Sequence, residues 1–210
     1  MKRITVLFEN DDCVILNKPA GLPVQGGAGV GASLDDLLAA EWSPRPLLVH
    51  RLDRDTSGII LAAKNRAAAA RFAALFAGKA GNRVTKRYLA VCAGEPPGDS
   101  GLITLSLDVR GAEREAQTAY KRLAGNGDFS LLELELGTGR THQIRRHLAR
   151  IGNPVLGDSK YGNFALNRAL RGERGLKRLL LHASRLIIPS LVDVAAPPPD
   201  YFDPFLALFR

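Results

Sequence analysis

The fold depends on one stretch of the sequence: HRLDRDTSGIILAA, residues 50–63. Its first nine residues are polar or turn-forming apart from one leucine, and its last five form an apolar run typical of a buried strand. Polar side chains at the end of a buried strand are presented by a rigid scaffold, as reactive groups commonly are. Asp53, which lies between Arg51 and Arg54, is therefore a candidate catalytic carboxylate. The same arginines also allow a structural role, in which they simply pair with Asp53.

The composition, with 46% hydrophobic and 24% charged residues, is that of a globular protein, and the length allows one large domain or two small ones. Since the sequence contains no repeat or low-complexity linker, we expect one catalytic domain over residues 1–210, with a bilobal domain as the alternative. Since no apolar run approaches the roughly 20 residues of a membrane helix, we expect no membrane association. The apolar start is short and soon interrupted by acids, so we expect a cytoplasmic protein without a signal peptide. Cys13 and Cys92 lie far apart in apolar segments, which favours buried free thiols over a disulfide.

Positive charge is concentrated in one segment. The net charge is +8, but residues 140–185 hold 11 Lys or Arg and only two acids, whereas the remainder holds 18 basic and 19 acidic residues. A localised positive surface favours a polyanionic partner, most simply a nucleic acid. A solvated basic surface without a partner is the alternative.

Periodicity predicts an α+β fold with a mixed, largely antiparallel central sheet flanked by helices and loops, because strands and helices do not alternate strictly. Residues 116–124 and 129–136 alternate around a Gly-Asn-Gly-Asp turn, which predicts a hairpin. The other predicted strands cover residues 4–8, 13–16, 59–63, 84–93, 102–109 and 179–188. Helices are predicted over residues 34–42, 66–77, 141–151 and, less regularly, 165–171, whereas residues 17–31 are predicted to be a loop and the C-terminal stretch irregular.

A second polar cluster, GTGRTHQIRRH, covers residues 137–147. A Gly-Thr-Gly turn followed by Arg140 and a helix N-terminus, with Thr141 as the predicted N-cap, is typical of an anion-binding corner. Cations in a first helical turn oppose the helix dipole, so Arg145 is expected to bind a carboxylate or a phosphate, or else to be a plain surface residue. His142 and His147 would point about 140° apart on a helix, which disfavours a metal site.

Four further side chains are candidates for contact with a nucleic acid or for structural roles. Lys160 and Tyr161 lie in the predicted turn GDSKYG and are candidate nucleic-acid contacts. Tyr88 lies in a predicted strand, where a tyrosine is usually a packing residue. His182 lies in the apolar run LLLHASRL and is expected to be a core histidine.

Taken together, these motifs resemble the RluA-type family of RNA pseudouridine synthases. The matching segments occur in the family's order over residues 17–186, and HRLD..TSG followed by GRTHQIR.H is their most specific combination. In order, the segments are NKPAG (17–21), HRLDRDTSG (50–58), TKRYLAVCAG (85–94), AQTAY (116–120), GRTHQIRRHL (139–148), GNPVLGDSKYG (152–162) and LLLHASRL (179–186).

The resemblance implies roles for particular residues. Asp53 matches the catalytic aspartate, Arg51 the arginine that helps displace the target base, Tyr88 the tyrosine that packs on the uracil, and Arg145 the arginine that pairs with the catalytic carboxylate. Arg140, His142, Lys160 and Tyr161 are the remaining expected substrate contacts. The resemblance further implies a sheet with RNA-binding loops around a central basic cleft, and no cofactor or metal.

The implied reaction explains these residue types. Conversion of uridine to pseudouridine breaks a C–N glycosidic bond and joins C5 of uracil to the ribose, with no net gain or loss of atoms. An ionised carboxylate can attack carbon or abstract a ribose proton, and the sequence leaves both routes open. The base must first be extruded from the RNA, at a cost of a few kcal/mol, and an aromatic ring can then stack on it.

The departures from the family pattern affect the identity of the substrate. The chain begins just before its first strand, so we expect no N-terminal S4-type RNA-binding domain. The segment between Asp108 and Thr118 is short, and residues 188–200 replace the usual His-Pro turn. We expect a monomer that modifies ribosomal or transfer RNA at a compact element such as a stem-loop.

Two other function classes compete with this interpretation. The first is a non-catalytic RNA-binding or RNA-folding protein on the same fold, which would have no need for the Asp53 carboxylate. The second is a hydrolase that uses Asp53 and Asp55 as an acid–base pair. On an extended segment these two side chains would point to opposite faces, which disfavours the hydrolase.

Overall fold

The protein is described here from a computed structural model, which covers residues 4–27, 31–78, 84–109 and 111–210. The strands are β1 Thr5–Glu9, β2 Cys13–Lys18, β3 Leu47–Leu48, β4 Ser57–Ala63, β5 Thr85–Ala93, β6 Ser100–Thr104, β7 Leu107–Val109, β8 Ala112–Arg114, β9 Gln117–Gly125, β10 Phe129–Leu136, β11 Leu181–Ile188 and β12 Val192–Ala195. The helices are α1 Leu34–Glu41, α2 Arg66–Phe76, α3 Gln143–Arg150, α4 Phe164–Arg174 and α5 Asp203–Leu206, with 3-10 turns at Asp200–Phe202 and Ala207–Phe209.

The chain divides into two compact units. The first comprises residues 1–86 and 183–197, and the second comprises residues 87–182 and 198–210. Strands β5 and β11 each contribute residues to both units, because the division falls after Lys86 and after His182.

The first unit is built on the strand order β1-β2-β4-β11, with β3 beside β4 and β12 beside β11. All seven residues of β4 are buried, as the unbroken apolar run predicts. Helix α2 places Ala68 and Phe72 against a core that includes Ile15 and Leu61. The end of β4 that follows the Asp53 segment is therefore anchored in the core of this unit.

The second unit is built on the strand order β5-β10-β9-β6. β9 and β10 form an antiparallel hairpin in which Leu132, Leu134 and Leu136 are buried, in agreement with the predicted alternation. Helix α4 and the C-terminal turns enclose a second core that includes Val91, Leu170 and Phe202.

The α+β fold with a mixed, mostly antiparallel sheet is confirmed. Helix α1 begins with a capping box, since the Ser33 side chain accepts the Asp36 N–H while the Asp36 carboxylate accepts the Ser33 N–H. Cys13 and Cys92 are buried free thiols, as predicted. Residues 28–30 of the predicted loop lie outside the described residues.

The prediction of one continuous strand over residues 102–109 is wrong. Its first part forms β6 and pairs with β9, whereas its last three residues form β7 and pair with β8 in a separate two-stranded sheet. Alternation reports which side of a strand is buried, but it does not report where the strand changes its partner.

The C-terminal stretch is also more regular than predicted. Val192–Ala195 forms β12, which pairs antiparallel with β11, and residues 200–209 form three short helical segments. Because this stretch is rich in proline, the short alternating sequence Val-Asp-Val-Ala was not predicted to be a strand. Within the described residues, no helix is long and apolar enough to cross a membrane.

Candidate active site

Asp53 lies in a tight turn that precedes β4. The Asp53 carbonyl accepts the Thr56 N–H at 3.2 Å, and the Asp53 residue is partly exposed. Thr56 and Ser57 are each 2% exposed, so the polar cluster enters the core directly after the turn. At Gly58, φ is +110° and an added Cβ would lie 2.2 Å from the Ala183 carbonyl oxygen, so only glycine fits. This turn therefore presents a carboxylate from a rigid strand end.

This geometry corrects the argument against the hydrolase. Asp53 and Asp55 do not lie on an extended segment, because residues 53–56 form a hydrogen-bonded turn. The alternation of side chains along a strand therefore says nothing about the directions of these two carboxylates.

Lys18 is the residue that fixes this turn. It is 0% exposed, and its Nζ donates to the carbonyls of Pro19, Leu22 and Arg54 at 2.8–3.0 Å. Burial lowers the pKa of Lys18 to about 8, against the opposing charges of Asp55 and Asp53. At neutral pH a buried ammonium group therefore holds the carbonyl of Arg54, the residue after Asp53.

His50 supports the other end of the same stretch. Its Nε2 accepts the Leu61 N–H at 2.9 Å, and its ring stacks on Phe76 with centroids 4.2 Å apart. Burial, together with the positive charge of Lys86, lowers the pKa of His50 to about 3. Since an imidazole that accepts this hydrogen bond must be neutral, His50 acts as a structural acceptor.

A small cavity of about 110 Å³ lies beside the turn within the first unit. Its lining comprises Pro23, Val24, Gln25, Arg51, Leu52 and Arg54. Arg51 and Arg54 are both exposed, so this cavity combines an accessible cationic rim with an apolar wall. The exposed guanidinium groups on this rim are suited to binding phosphate.

In the second unit, Arg145 is held by a carboxylate that the sequence did not predict. Its Nε and Nη2 donate to the two oxygens of Asp158 at 2.7 and 2.8 Å, and both residues are buried. Asp158 Oδ1 also accepts the N–H groups of Lys160 and Tyr161 at 2.8 and 2.9 Å. Burial alone would raise the pKa of Asp158, but these hydrogen bonds outweigh it and hold the pKa below its ordinary value.

Tyr161 and His142 join this cluster. The Arg145 guanidinium lies 5.3 Å from the centre of the Tyr161 ring, and the Lys160 ammonium lies 5.4 Å from it. The Tyr161 hydroxyl is 3.1 Å from His142 Nδ1. The structure therefore brings four predicted site residues together: Arg145, His142, Lys160 and Tyr161.

The predicted anion-binding corner differs from the sequence expectation. Helix α3 begins at Gln143, two residues later than predicted, and its N-cap is His142 in the left-handed conformation (φ 54°) instead of Thr141. The Gln143 side chain accepts the Arg140 N–H at 3.0 Å and donates to the Gln117 carbonyl at 2.8 Å. One backbone donor expected to bind an anion is thus already occupied, although the Arg140 side chain remains exposed.

Tyr88 lies in β5 opposite Leu134 of β10 and is 8% exposed. This burial matches the packing role that is usual for a strand tyrosine. His182 is 1% exposed and its ring meets Phe202 edge-on, as expected for a core histidine.

Sequence reasoning missed four residues that organise the site: Lys18, His50, Gln143 and Asp158. All four lie in quoted motifs, Lys18 in NKPAG, His50 in HRLDRDTSG, Gln143 in GTGRTHQIRRH and Asp158 in GDSKYG, so their positions were marked but their roles were not. Charged residues are almost never fully buried without partners, so the signal available was a charge inside a strongly apolar segment. Among the described residues, no group of three or more His, Cys, Asp or Glu side chains could hold a metal ion.

The sequence matches the family model described as RNA pseudouridylate synthase over residues 12–150. The chain therefore belongs to the RNA pseudouridylate synthase family, and its resemblance to the RluA type is confirmed. Membership of a family named for pseudouridylate synthesis is a stronger ground for setting the hydrolase aside.

Particular relatives are similar to most of the chain. The ribosomal large subunit pseudouridine synthase C of Vibrio parahaemolyticus is 36% identical over 86% of this chain and 60% of that protein. The enzyme of the same name from Rickettsia bellii is 33% identical over 96% of this chain and 72% of that protein. The chain thus spans about 60% of the length of several of these curated relatives.

A solved structure shares the fold. Human RNA pseudouridylate synthase domain containing 4 superposes with a TM-score of 0.83 at 26% identity, covering 96% of this chain and 91% of that one.

Proposed function

We propose that this protein is an RNA pseudouridine synthase that isomerises specific uridines in ribosomal RNA of the large subunit. The observation that carries the proposal is the Asp53 turn. It presents a partly exposed carboxylate in the motif HRLDRDTSG, and a buried lysine and a glycine that cannot be replaced hold it in place. Membership of the RNA pseudouridylate synthase family supports the assignment.

Asp53 is the proposed catalytic residue, and it acts on the ribose of the target uridine. The carboxylate attacks carbon or removes a ribose proton, the C–N glycosidic bond breaks, and C5 of the uracil then bonds to the ribose. The hydrogen on C5 leaves to solvent and the ring nitrogen takes up a proton, so atoms and electrons balance without a cofactor.

The other proposed residues prepare the target base. Arg51, on the rim of the cavity beside the turn, occupies the space left by the extruded base. Tyr88 stacks on the uracil and Arg145 completes the catalytic set, as the family resemblance implies. Arg140, His142, Lys160 and Tyr161 are proposed to contact the surrounding RNA.

The substrate and the state of the protein are further parts of this proposal. The relatives from Vibrio and Rickettsia are named for the large ribosomal subunit, which favours ribosomal over transfer RNA. We propose that residues 1–210 act in the cytoplasm as one catalytic domain and as a monomer, without a metal or cofactor.

The experiment that tests this proposal maps pseudouridines in total RNA from a strain that lacks its own copy of the protein. Re-expression of the wild-type chain should restore one or more pseudouridines in large-subunit ribosomal RNA. If re-expression restores none in any RNA, the proposed activity is wrong.

A further inference from the structure

Helix α4 exposes an aromatic ring and a row of arginines on one face. Phe164, Arg168 and Arg171 follow the spacing i, i+4, i+7, so their Cα atoms fall within about 60° of one another around the helix axis. All three residues are exposed, and the Phe164 residue retains 58% of its accessible surface. Among the described residues, it is the one aromatic residue in the group of exposed large hydrophobic side chains. Leu170, about 120° around the helix axis from Phe164, is buried.

The arginines of this face differ from some of the other exposed arginines of the chain. Several of those pair with acids within 3.1 Å: Arg45 with Asp35, Arg71 with Asp12, and Arg185 with Asp193. In the part of the chain that the structure describes, Arg168 and Arg171 form no ion pair. Residues 160–178 contain six Lys or Arg and one acid, Glu173, which lies about 180° around the helix from Phe164.

The face is held firmly in place within its unit. The Asn163 side chain accepts the Leu166 N–H at the start of α4, and Gly175 ends the helix in the left-handed conformation. Asn167 accepts the Gly157 N–H at 3.0 Å and donates to the Asp158 carbonyl at 3.1 Å. Since Asp158 also binds Arg145, the position of α4 is fixed relative to Arg145 and Tyr161.

We propose that this face of α4, defined by Phe164, Arg168 and Arg171, is a binding surface for an unpaired stretch of the substrate RNA beside the target uridine. The proposal rests on the proposed function, since it takes the substrate to be RNA. It assigns the basic helix a role in affinity and in the choice of RNA, separate from the reaction at Asp53.

The chemistry of the face fits a single strand better than a duplex. An exposed phenyl ring can stack on an unpaired base, whereas paired bases are already stacked on each other. Arginines bind phosphates well, because a guanidinium group presents several donors and is weakly hydrated. A phosphate would also not have to displace a protein carboxylate, since the described residues provide none as a partner of Arg168 or Arg171. Phe164 and Arg171 are about 10.5 Å apart along the helix axis, which corresponds to about three stacked nucleotides at 3.4 Å each.

The test compares variants of the full-length protein on large-subunit ribosomal RNA transcribed in vitro without modification. The double variant R168Q/R171Q should bind this RNA roughly tenfold more weakly. Its slope of log affinity against log salt should fall by about 1.4, because each phosphate that an arginine no longer neutralises reduces the slope by about 0.7. F164A should also weaken binding by roughly tenfold, because the base loses its stacking partner. KM should rise accordingly in both variants while kcat stays within twofold of wild type.

Matched controls separate this surface from general charge and exposure. R66Q/K121Q removes two exposed cations outside α4, and L102A truncates an apolar side chain that is 62% exposed. Both controls should bind RNA as the wild type does. Wild-type binding by R168Q/R171Q and F164A, or equally weakened binding by the controls, would overturn the proposal. Phosphatidylglycerol vesicles test an anionic membrane as the alternative ligand of this face. If the α4 variants no longer bound the vesicles but kept their affinity for RNA, the proposal would also be overturned.

Failure of this proposal can be distinguished from failure of the proposed function. RNA affinity is measured by binding, which needs no turnover, whereas the proposed function is judged from pseudouridine formed by the wild type. If the wild type forms no pseudouridine but the α4 variants bind RNA more weakly than it does, the enzyme is refuted and the surface is kept. The opposite pattern would refute the surface alone.

Discussion

At the scale of single residues, the position of the candidate catalytic carboxylate depends on a buried lysine. Lys18 ties three backbone carbonyls together, and one of them belongs to Arg54, the residue directly after Asp53. The two segments are 36 residues apart in the sequence, so no local pattern could have revealed that they meet. The motif NKPAG therefore contributes to the candidate site as a support for the turn.

Replacement of Lys18 by Met should loosen the Asp53 turn. The variant K18M leaves the carbonyls of Pro19, Leu22 and Arg54 without their shared donor, so we expect a decrease of about 1–3 kcal/mol in unfolding free energy and a lower kcat. Urea unfolding and turnover on ribosomal RNA measure the two effects. K64M, which removes a partly exposed lysine paired with Glu9, is the control and should change neither. Wild-type kcat and stability in K18M would show that the turn does not need this lysine.

His50 should make stability depend on pH below about 6.5. Its pKa is lowered to about 3 in the folded protein, so between pH 6.5 and 3 the unfolded chain binds a proton that the folded chain does not. The contribution of this residue therefore makes stability fall as pH falls, by at most about 1.4 kcal/mol per pH unit.

The comparison of wild type with H50Q isolates that contribution. Unfolding free energies measured from pH 7 to pH 5, above the range where most carboxylates titrate, should fall less steeply with decreasing pH in H50Q than in the wild type. Parallel curves for the two proteins would contradict the neutral, hydrogen-bonded state of His50.

At the scale of elements, the sequence predicted the strands and helices that have a periodic pattern. It predicted poorly the element boundaries that depend on contacts with residues distant in the sequence. Alternating leucines located β10, and the caps Asn163 and Gly175 lie at the ends of a helix whose middle had been predicted. The start of α3 was misplaced because the Gln143 side chain, and not Thr141, satisfies the nearby backbone donor. The break between β6 and β7 was missed because it depends on which strand pairs with each segment.

The pair of Arg145 and Asp158 illustrates the same limit at the candidate site. Sequence reasoning recognised that a cation in the first turn of α3 opposes the helix dipole and needs a partner. It could not identify Asp158, 13 residues on, because a loop of that length permits many geometries. The structure shows that this loop, closed by Asn167 of α4, provides the carboxylate.

Removal of the Asp158 carboxylate should be strongly destabilising at neutral pH. D158N takes the bidentate acceptor from a buried guanidinium, at an expected cost of about 3–5 kcal/mol in unfolding free energy. Because the pKa of Asp158 is lowered in the folded state, its stabilisation is present above the unfolded pKa and is lost as pH falls through the folded value. Chemical denaturation at pH 7 and below pH 4 should therefore show the gap between D158N and wild type closing in acid.

A matched control for this prediction is D193N. Asp193 pairs with Arg185, but the two side chains are 43–46% exposed, so its removal should cost no more than about 1 kcal/mol. Equal destabilisation of D158N and D193N would show that burial of the Arg145 pair adds nothing.

At the scale of the whole molecule, family membership is established, and the activity on ribosomal RNA is proposed on that basis. The uneven charge agrees with an RNA substrate, because residues 140–185 carry a net +9 and the remainder is close to neutral. Under the proposal for the α4 face, two of these positive charges, those of Arg168 and Arg171, bind phosphates of the RNA.

The most direct test of the central claim measures release of tritium from RNA that contains uridine labelled at C5. Bond formation at C5 must release that hydrogen, so the wild type should release tritium, and D53N should release none while binding RNA within twofold of wild type. D55N, a matched removal of a carboxylate two residues away, should keep its turnover. Turnover by D53N at a rate near that of the wild type would contradict the assignment of Asp53 as the catalytic residue.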